Sequence, residues 1–379
     1  KQKKIEPWVR ELLYTALFQL QYLDKIPQHA IFNESIEVAK TLGHIGTAKF
    51  VTAILHNISR QGLPDINAIQ NPIQRLSVEA SLPVWLIETL VEQNGEAKTR
   101  QIIGSINDAP AQAIRVNTVL STDEAVEQAL LDEHFTFVKS KVADHAYVVT
   151  GGHVAGSKAY QDGLLTLQDE SAMLPVEALQ ITTQVKTVLD AAAAPGGKTT
   201  QIAQYIADDA TITALDIHAH KIRLIEANAK RLHVSDKITA QVLDARQTAN
   251  QLTTKFDRIL VDAPCSGFGL LRRKPEIRYD KTLEDVMSLA SLQGEILDSV
   301  SQNVADNGMI VYSTCTILRQ ENDDVIARFL SKHTDFELVP TMTSKALKSN
   351  RQETVLHIYP NDYHTDGFFV ATLKKKTVQ

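Results

Sequence analysis

Val188-Leu189-Asp190-Ala191-Ala192-Ala193-Ala194-Pro195-Gly196-Gly197-Lys198-Thr199 is the stretch on which the fold turns. An apolar run, Val185–Leu189, ends in an acid and gives way to small residues and paired glycines before a helical pattern begins. That sequence suits a strand, a tight loop and a helix N-terminus, where backbone amides can approach a ligand and negative charge is favoured. The spacing is not Gly-x-x-x-x-Gly-Lys-Ser/Thr, so the Gly-Lys-Thr ending does not make a phosphate-cradling P-loop, and it is not Gly-x-Gly-x-x-Gly either. A nucleotide-like cofactor without a pyrophosphate fits it better.

Outward from this loop, strands and helices alternate. Apolar runs at Thr211–Leu215, Ile238–Val242, Arg258–Val261 and Met309–Tyr312 are separated by amphipathic stretches such as Ala219–Leu232 and Leu283–Val304. This rhythm predicts an α/β, doubly wound parallel sheet from about residue 165 to 379, with its ligand at the carboxyl ends of the strands. Phe336–Val339 and Phe368–Leu373 are expected as antiparallel edge strands. Asp216 ends the second strand, where an acid can accept from the ribose hydroxyls of an adenosine, and Asp244 ends the third, where it can accept from an adenine amino group.

The fourth and fifth strands run out into Asp262-Ala263-Pro264-Cys265-Ser266-Gly267 and Ser313-Thr314-Cys315-Thr316. Neighbouring strands should bring both thiols to one rim of the sheet, beside the cofactor. Cysteine thiolates are strong nucleophiles near neutral pH, although free cysteines are also often small buried hydrophobes. Metal binding is not expected, because two cysteines without a Cys-x-x-Cys offer too few ligands.

Ahead of residue 165 the texture differs. Trp8, Leu12, Ala16, Leu20 and Leu23 recur at helical spacing, as do Phe50, Val51, Ile54, Leu55 and Ile58, so residues 1–106 read as short helices punctuated by glycines and prolines. Asn94-Gly95 is expected to end one of them. Between 107 and 164, Ala113–Asn117 and Ala146–Val149 read as strands around a helical stretch from Thr122 to about Glu133, predicting a small α+β insert.

Composition agrees with a globular protein: 44% of the 379 residues are hydrophobic and 22% charged. The two cysteines rule out a disulfide scaffold and favour a cytoplasmic location, and no apolar run approaches the roughly 20 residues of a membrane span. Lys1-Gln2-Lys3-Lys4 before Trp8-Val9 imitates a signal peptide, but Arg10 and Glu11 interrupt it. The first residue is Lys, so the start is expected to be trimmed or to lie inside a longer parent. A net charge of −6 argues against coating nucleic acid by bulk positive charge. Basic residues still cluster at Leu271-Arg272-Arg273-Lys274-Pro275-Glu276-Ile277-Arg278, with Lys374-Lys375-Lys376 near the end.

Taken together, Ala193-Ala194-Pro195-Gly196-Gly197-Lys198-Thr199, Asp262-Ala263-Pro264-Cys265-Ser266-Gly267 and Thr314-Cys315 resemble the S-adenosylmethionine-dependent RNA cytosine-C5 methyltransferases of the Nop/Sun family. Gln168-Asp169-Glu170-Ser171-Ala172 and Thr365-Asp366-Gly367-Phe368-Phe369 extend the match. The helical first region and the insert look like the RsmB (Sun, Fmu) type, whose first domain is NusB-like and here is expected to be incomplete. The family usually has Cys where this chain has Ala192.

The resemblance implies a Rossmann-like class I methyltransferase domain with S-adenosylmethionine held by Ala192, Ala193, Ala194, Pro195, Gly196, Gly197, Lys198, Asp216, Asp244 and Asp262. It implies Cys315 as nucleophile, Cys265 as the partner that assists release, and Asp262 as a further catalytic group. The expected substrate is 16S rRNA, at cytosine 967. Arg272, Arg273, Lys274 and Arg278, just beyond the base site, would then pair with RNA phosphates; the protein is expected to act as a monomer, with no metal and no membrane. The same chemistry on transfer RNA or another ribosomal site, and a non-catalytic RNA-binding assembly factor, stay open as alternatives. A nicotinamide-dependent oxidoreductase is disfavoured by the Pro195 loop.

Overall fold

The computed structural model describes residues 5–348 and 353–376; the Lys-rich start, Lys1–Lys4, lies outside the described residues. The chain forms two compact units, residues 1–75 and 76–379. In the first, helices Pro7–Tyr22, Gln28–Leu42 and Ile45–Gln61 bury Val9, Leu13, Ala16, Ile31, Phe32, Val51 and Leu55. The helical spacing was read correctly, but on the first helix the core stripe sits one residue over, so Trp8, Leu12 and Leu20 are only partly buried.

The break between the two compact units falls between residues 75 and 76. Helices Pro72–Ala80 and Val84–Ser105 explain this, because the later part of this region is bonded to the second unit itself. The Arg278 guanidinium donates to the carbonyl oxygens of Ala80 and Ile106, each at 3.3 Å, and to Asn107 Oδ1 at 2.6 Å. Lys98 meets Asp362 at 2.8 Å, and the Trp85 and Phe268 rings stack edge to face. Gly95, at φ +76°, breaks the second of these helices as its sequence suggests, but helical structure resumes directly after it.

Two sheets make up the second unit. In the smaller one, β1 (Gln112–Val116) is flanked by β3 (Ala146–Thr150) and β4 (Leu165–Leu167), with β2 (Thr136–Lys139) outside β3, all antiparallel. The strands β2 and β4 escaped the sequence reading: β2 is mostly exposed and β4 only three residues long, so neither carries an apolar run.

The larger sheet holds β5 (Thr187–Asp190), β6 (Thr211–Asp216), β7 (Ile238–Val242), β8 (Phe256–Asp262), β9 (Val304–Thr314), β10 (Phe336–Val339), β11 (Leu356–Ile358) and β12 (Phe368–Lys375). Its order is β10-β12-β9-β8-β5-β6-β7, with β11 also on β12. The strands β5 to β9 pair in parallel and β12 runs antiparallel to β9. Helices cover the faces, so the central strands are buried and read as continuous apolar runs. The chain winds outward from β5 toward β7 on one side and through β8 to β9 on the other. The loop after β5 therefore opens at the switch point of a doubly wound sheet, where ligands bind.

Candidate active site

The β5 loop is held from below. Asp190 is fully buried and accepts from Thr199 Oγ1 at 2.7 Å, while burial pushes its carboxyl up to about 6. Gly196 takes φ +103°, and a Cβ there would stand 3.1 Å from the Ile225 backbone, so the turn into helix Gly197–Tyr205 requires glycine. The Ala194–Pro195 bond is cis.

Two adjoining cavities open along this loop. The first, about 350 Å³, has Ala191, Ala192 and Ala194 on one side, Asp216 and Asp244 at strand ends, Leu292 and Ile296 as an apolar wall, and Asp262, Cys265 and Cys315 at its remaining edge. The second, about 240 Å³, shares Ala192, Ala194 and Asp262 with it and adds Ala193, Pro195, Gly197, Lys198, Asp190 and Gln168. Of the loop residues singled out in the sequence, Gly196 alone lines neither cavity.

Charges at the shared edge are paired. Lys198 Nζ lies 2.7 Å from Asp262 Oδ2, and Ser313 Oγ donates to Asp262 Oδ1 at 2.8 Å. Burial pulls the Lys198 ammonium down, but Asp262 outweighs it and holds the ammonium above its ordinary value. Asp216 accepts from the His218 amide at 2.9 Å. Asp244 is already bonded to Arg246, through the backbone amide at 2.9 Å and the guanidinium at 2.7 Å, which holds its carboxyl below the usual range. An adenine amino group would have to share that acceptor.

Cys265 and Cys315 stand with their sulfurs 3.1 Å apart, both half-buried. The register explains the encounter: Asp262 pairs with Ser313 across β8 and β9, and the Ala263 amide donates to the Ser313 carbonyl at 2.9 Å, so the two loops leave the sheet side by side. The hydrogen bond to Cys315, then burial, pushes the Cys265 thiol well above its ordinary value. Either sulfur can donate across this contact. Behind the pair the Gly269 amide donates to the Cys315 carbonyl at 2.9 Å, and a Cβ on Gly269 would meet the Gly367 carbonyl, which accounts for glycine at both positions.

Comparisons with known proteins identify the family. The family described as "16S rRNA methyltransferase RsmB/F" matches residues 177–374, which run from the helix before β5 through most of β12. The chain belongs to this family. The ferredoxin-like domain of RsmF/B-like methyltransferases matches residues 82–154, and the NusB family matches 1–60. A probable ribosomal RNA small subunit methyltransferase B of Bacillus subtilis is 39% identical over 99% of this chain and 85% of its own length. One from Synechocystis is 32% identical over 98% and 84%. In a crystal structure, a methyltransferase homolog from Pyrococcus horikoshii is 26% identical, covering 80% of this chain and 99% of its own, with a TM-score of 0.69.

The basic run of this RsmB/F chain is engaged largely within its own unit. Arg272 donates to the Thr365 carbonyl, and Arg273 bridges Asp366 and Asp169 at 2.7 Å each while also reaching the Ala111 carbonyl. Arg278 is buried against Ala80, Ile106 and Asn107. These bonds fasten the loop after Cys265 to the rest of the unit, while Arg273 and Lys274 are exposed. Arg278→Met is accordingly expected to cost about 2 kcal/mol in urea denaturation, since it strips donors from buried carbonyls. A phosphate ligand would instead lose RNA affinity at unchanged stability.

Two groups near the loops were not singled out in the sequence. Arg115 of β1 is fully buried with its guanidinium on the Gln168 side chain, the Gly197 carbonyl at 2.8 Å and Thr200 Oγ1 at 3.1 Å, and burial lowers it to about 9. Glu321 lies buried behind both cysteine loops. The side-chain partners of Arg115 lie 53 to 85 residues away, and Glu321, though close to Cys315 in sequence, reaches Ser266 and Gln293 55 and 28 residues away.

Proposed function

We propose that this chain methylates C5 of a cytosine in 16S rRNA, with cytosine 967 the expected position, and that it does so through a covalent bond between Cys315 and C6. The observation that carries this reading is the pair of sulfurs 3.1 Å apart at the edge of a cofactor-sized cavity, beside the Lys198–Asp262 pair. The cavity suits S-adenosylmethionine: about 350 Å³ is within the range of small-molecule sites, the alanines leave room along the loop, Asp216 offers an acceptor for ribose hydroxyls, and Leu292 and Ile296 offer an apolar face for adenine. When bound there, S-adenosylmethionine supplies an electrophilic methyl group.

The chain's own residues supply the rest. Cytosine C5 is a poor nucleophile, so the Cys315 thiolate adds to C6 and the C5–C6 electron pair becomes available at C5. Asp262, fixed by Lys198 and Ser313, is placed to accept from the base's amino group or protonated N3. After methylation the C5 proton passes to water, its bonding pair restores the double bond, and the sulfur–C6 pair returns to Cys315. Cys265, still protonated, donates a hydrogen bond to that departing sulfur.

The test is methyl transfer from labelled S-adenosylmethionine to unmodified 16S and transfer RNA, with bisulfite sequencing of the products. A single protected cytosine in 16S rRNA is expected. Protection confined to transfer RNA would replace the substrate, and label on an atom other than cytosine C5 would overturn the chemistry.

A further inference from the structure

Glu321 sits in the short turn Arg319–Glu321 that leads into helix Asp323–Lys332, with no solvent exposure. A buried carboxylate is tolerated only when its oxygens are satisfied. These accept from the Ser266 amide at 2.8 Å, from Ser266 Oγ at 2.5 Å and from Gln293 Nε2 at 3.1 Å. Burial pushes the Glu321 carboxyl above its ordinary value, and the bonds its oxygens accept from Ser266 and Gln293 counter that rise. Gln293 also donates to the Pro264 carbonyl at 2.9 Å, so the residues on both sides of Cys265 are tied to this carboxylate or its partner.

The other thiol is gripped by the next residue along. Asn322 Oδ1 accepts from Thr314 Oγ1 at 2.5 Å, and its Nδ2 donates to the Thr316 carbonyl at 3.1 Å, which fixes the residues before and after Cys315. Ser266 Oγ and Thr316 Oγ1, 3.0 Å apart, close the link between the loops, and Tyr312 Oη donates to the Glu321 carbonyl at 2.6 Å. One dipeptide, Glu321-Asn322, thereby sets the distance between two sulfurs that lie 50 residues apart in sequence.

We propose that Glu321 is a positioning residue for the thiol pair: it holds Cys265 against Cys315 and, by its charge, keeps Cys265 the proton-bearing member. This rests on the reading of Cys315 as nucleophile given above. The groups around Cys265 act in the same sense. Cys315, Glu321 and Asp262 each oppose a thiolate at Cys265, burial adds to them, and Tyr312 stays neutral because its own burial and these neighbours push its hydroxyl up. The nearby cation, Lys198, is paired with Asp262. Both thiols have the same chemistry, so the asymmetry that makes one the nucleophile and the other the donor has to come from this surrounding charge.

With only two cysteines in the chain, Cys315→Ser leaves Cys265 as the sole thiol. Its rate of alkylation by iodoacetamide against pH then reports its ionisation without RNA or cofactor. Adding Glu321→Gln keeps an acceptor for the Ser266 amide but removes the charge; the midpoint is expected to fall by about one pH unit, making alkylation below the midpoint about tenfold faster. Glu321→Asp, which keeps the charge, should stay near the parent midpoint. With both thiols present, Glu321→Gln should accumulate covalent RNA adduct at unchanged KM for RNA. An unchanged midpoint in Glu321→Gln, whether or not the melting temperature drops, overturns the proposal. Failure of the functional reading shows separately, as wild-type protein that methylates no cytosine.

Discussion

Cys315→Ala is expected to abolish methyl transfer, by at least about 10⁴-fold, while cofactor affinity and melting temperature stay near those of the wild type. The size of the effect follows from the chemistry. Without a nucleophile on C6 the ring carbon that must attack stays electron-poor, and a factor of 10⁴ corresponds to about 5.5 kcal/mol of barrier. The fold has little stake in the sulfur. Cys315 is half-buried and its carbonyl, which accepts from Gly269, survives the substitution. The residues proposed to hold the cofactor, along the β5 loop and at Asp216, belong to other strand ends. The measurement is labelled methyl incorporation into RNA beside calorimetric titration with S-adenosylhomocysteine. Activity within tenfold of wild type would remove Cys315 from its assigned role. Loss of binding together with activity would make the residue structural.

What the sequence disclosed follows from how each feature is encoded. The parallel sheet was legible because its central strands are buried on both faces and stand out as apolar runs, and the loop after Asp190 because glycine is required at Gly196. Adjacency of β8 and β9 followed from doubly wound order, so the thiols could be placed on one rim before any coordinates. Their inequality could not. It depends on Glu321, Asn322 and Gln293, whose side chains reach the loops only after packing. The run Arg272–Arg278 makes contacts its sequence does not show, for the same reason in reverse. A string of cations looks free for phosphate until Asp169 and Asp366, more than 90 residues away in either direction, prove to be facing Arg273. Arg115 was hidden by its position in a strand of the small sheet, although it reaches the Gly197 carbonyl at the helix start that follows β5 of the other.

Cys265→Ala is expected to leave Cys315 able to attack and unable to let go efficiently, so that an RNA–protein adduct accumulates and survives denaturing electrophoresis. Addition needs the Cys315 sulfur and the base, both of which the variant retains. Elimination returns an electron pair to that sulfur in a half-buried site, where a charged leaving atom is poorly solvated and a hydrogen bond to it is worth more than in water. In the wild type the Cys265 sulfur lies 3.1 Å away, close enough for its S–H to supply that bond. Loss of one proton donor at a transition state costs on the order of a hundredfold, enough to move the slow step from chemistry at C5 to release. Adduct should require S-adenosylmethionine-competent protein with Cys315 intact, so Cys265→Ala/Cys315→Ala should give none. If Cys265→Ala instead turns over at the wild-type rate without adduct, the leaving sulfur gets its stabilisation elsewhere. Lys198 is then the first group to replace, because its ammonium already interacts with Cys315.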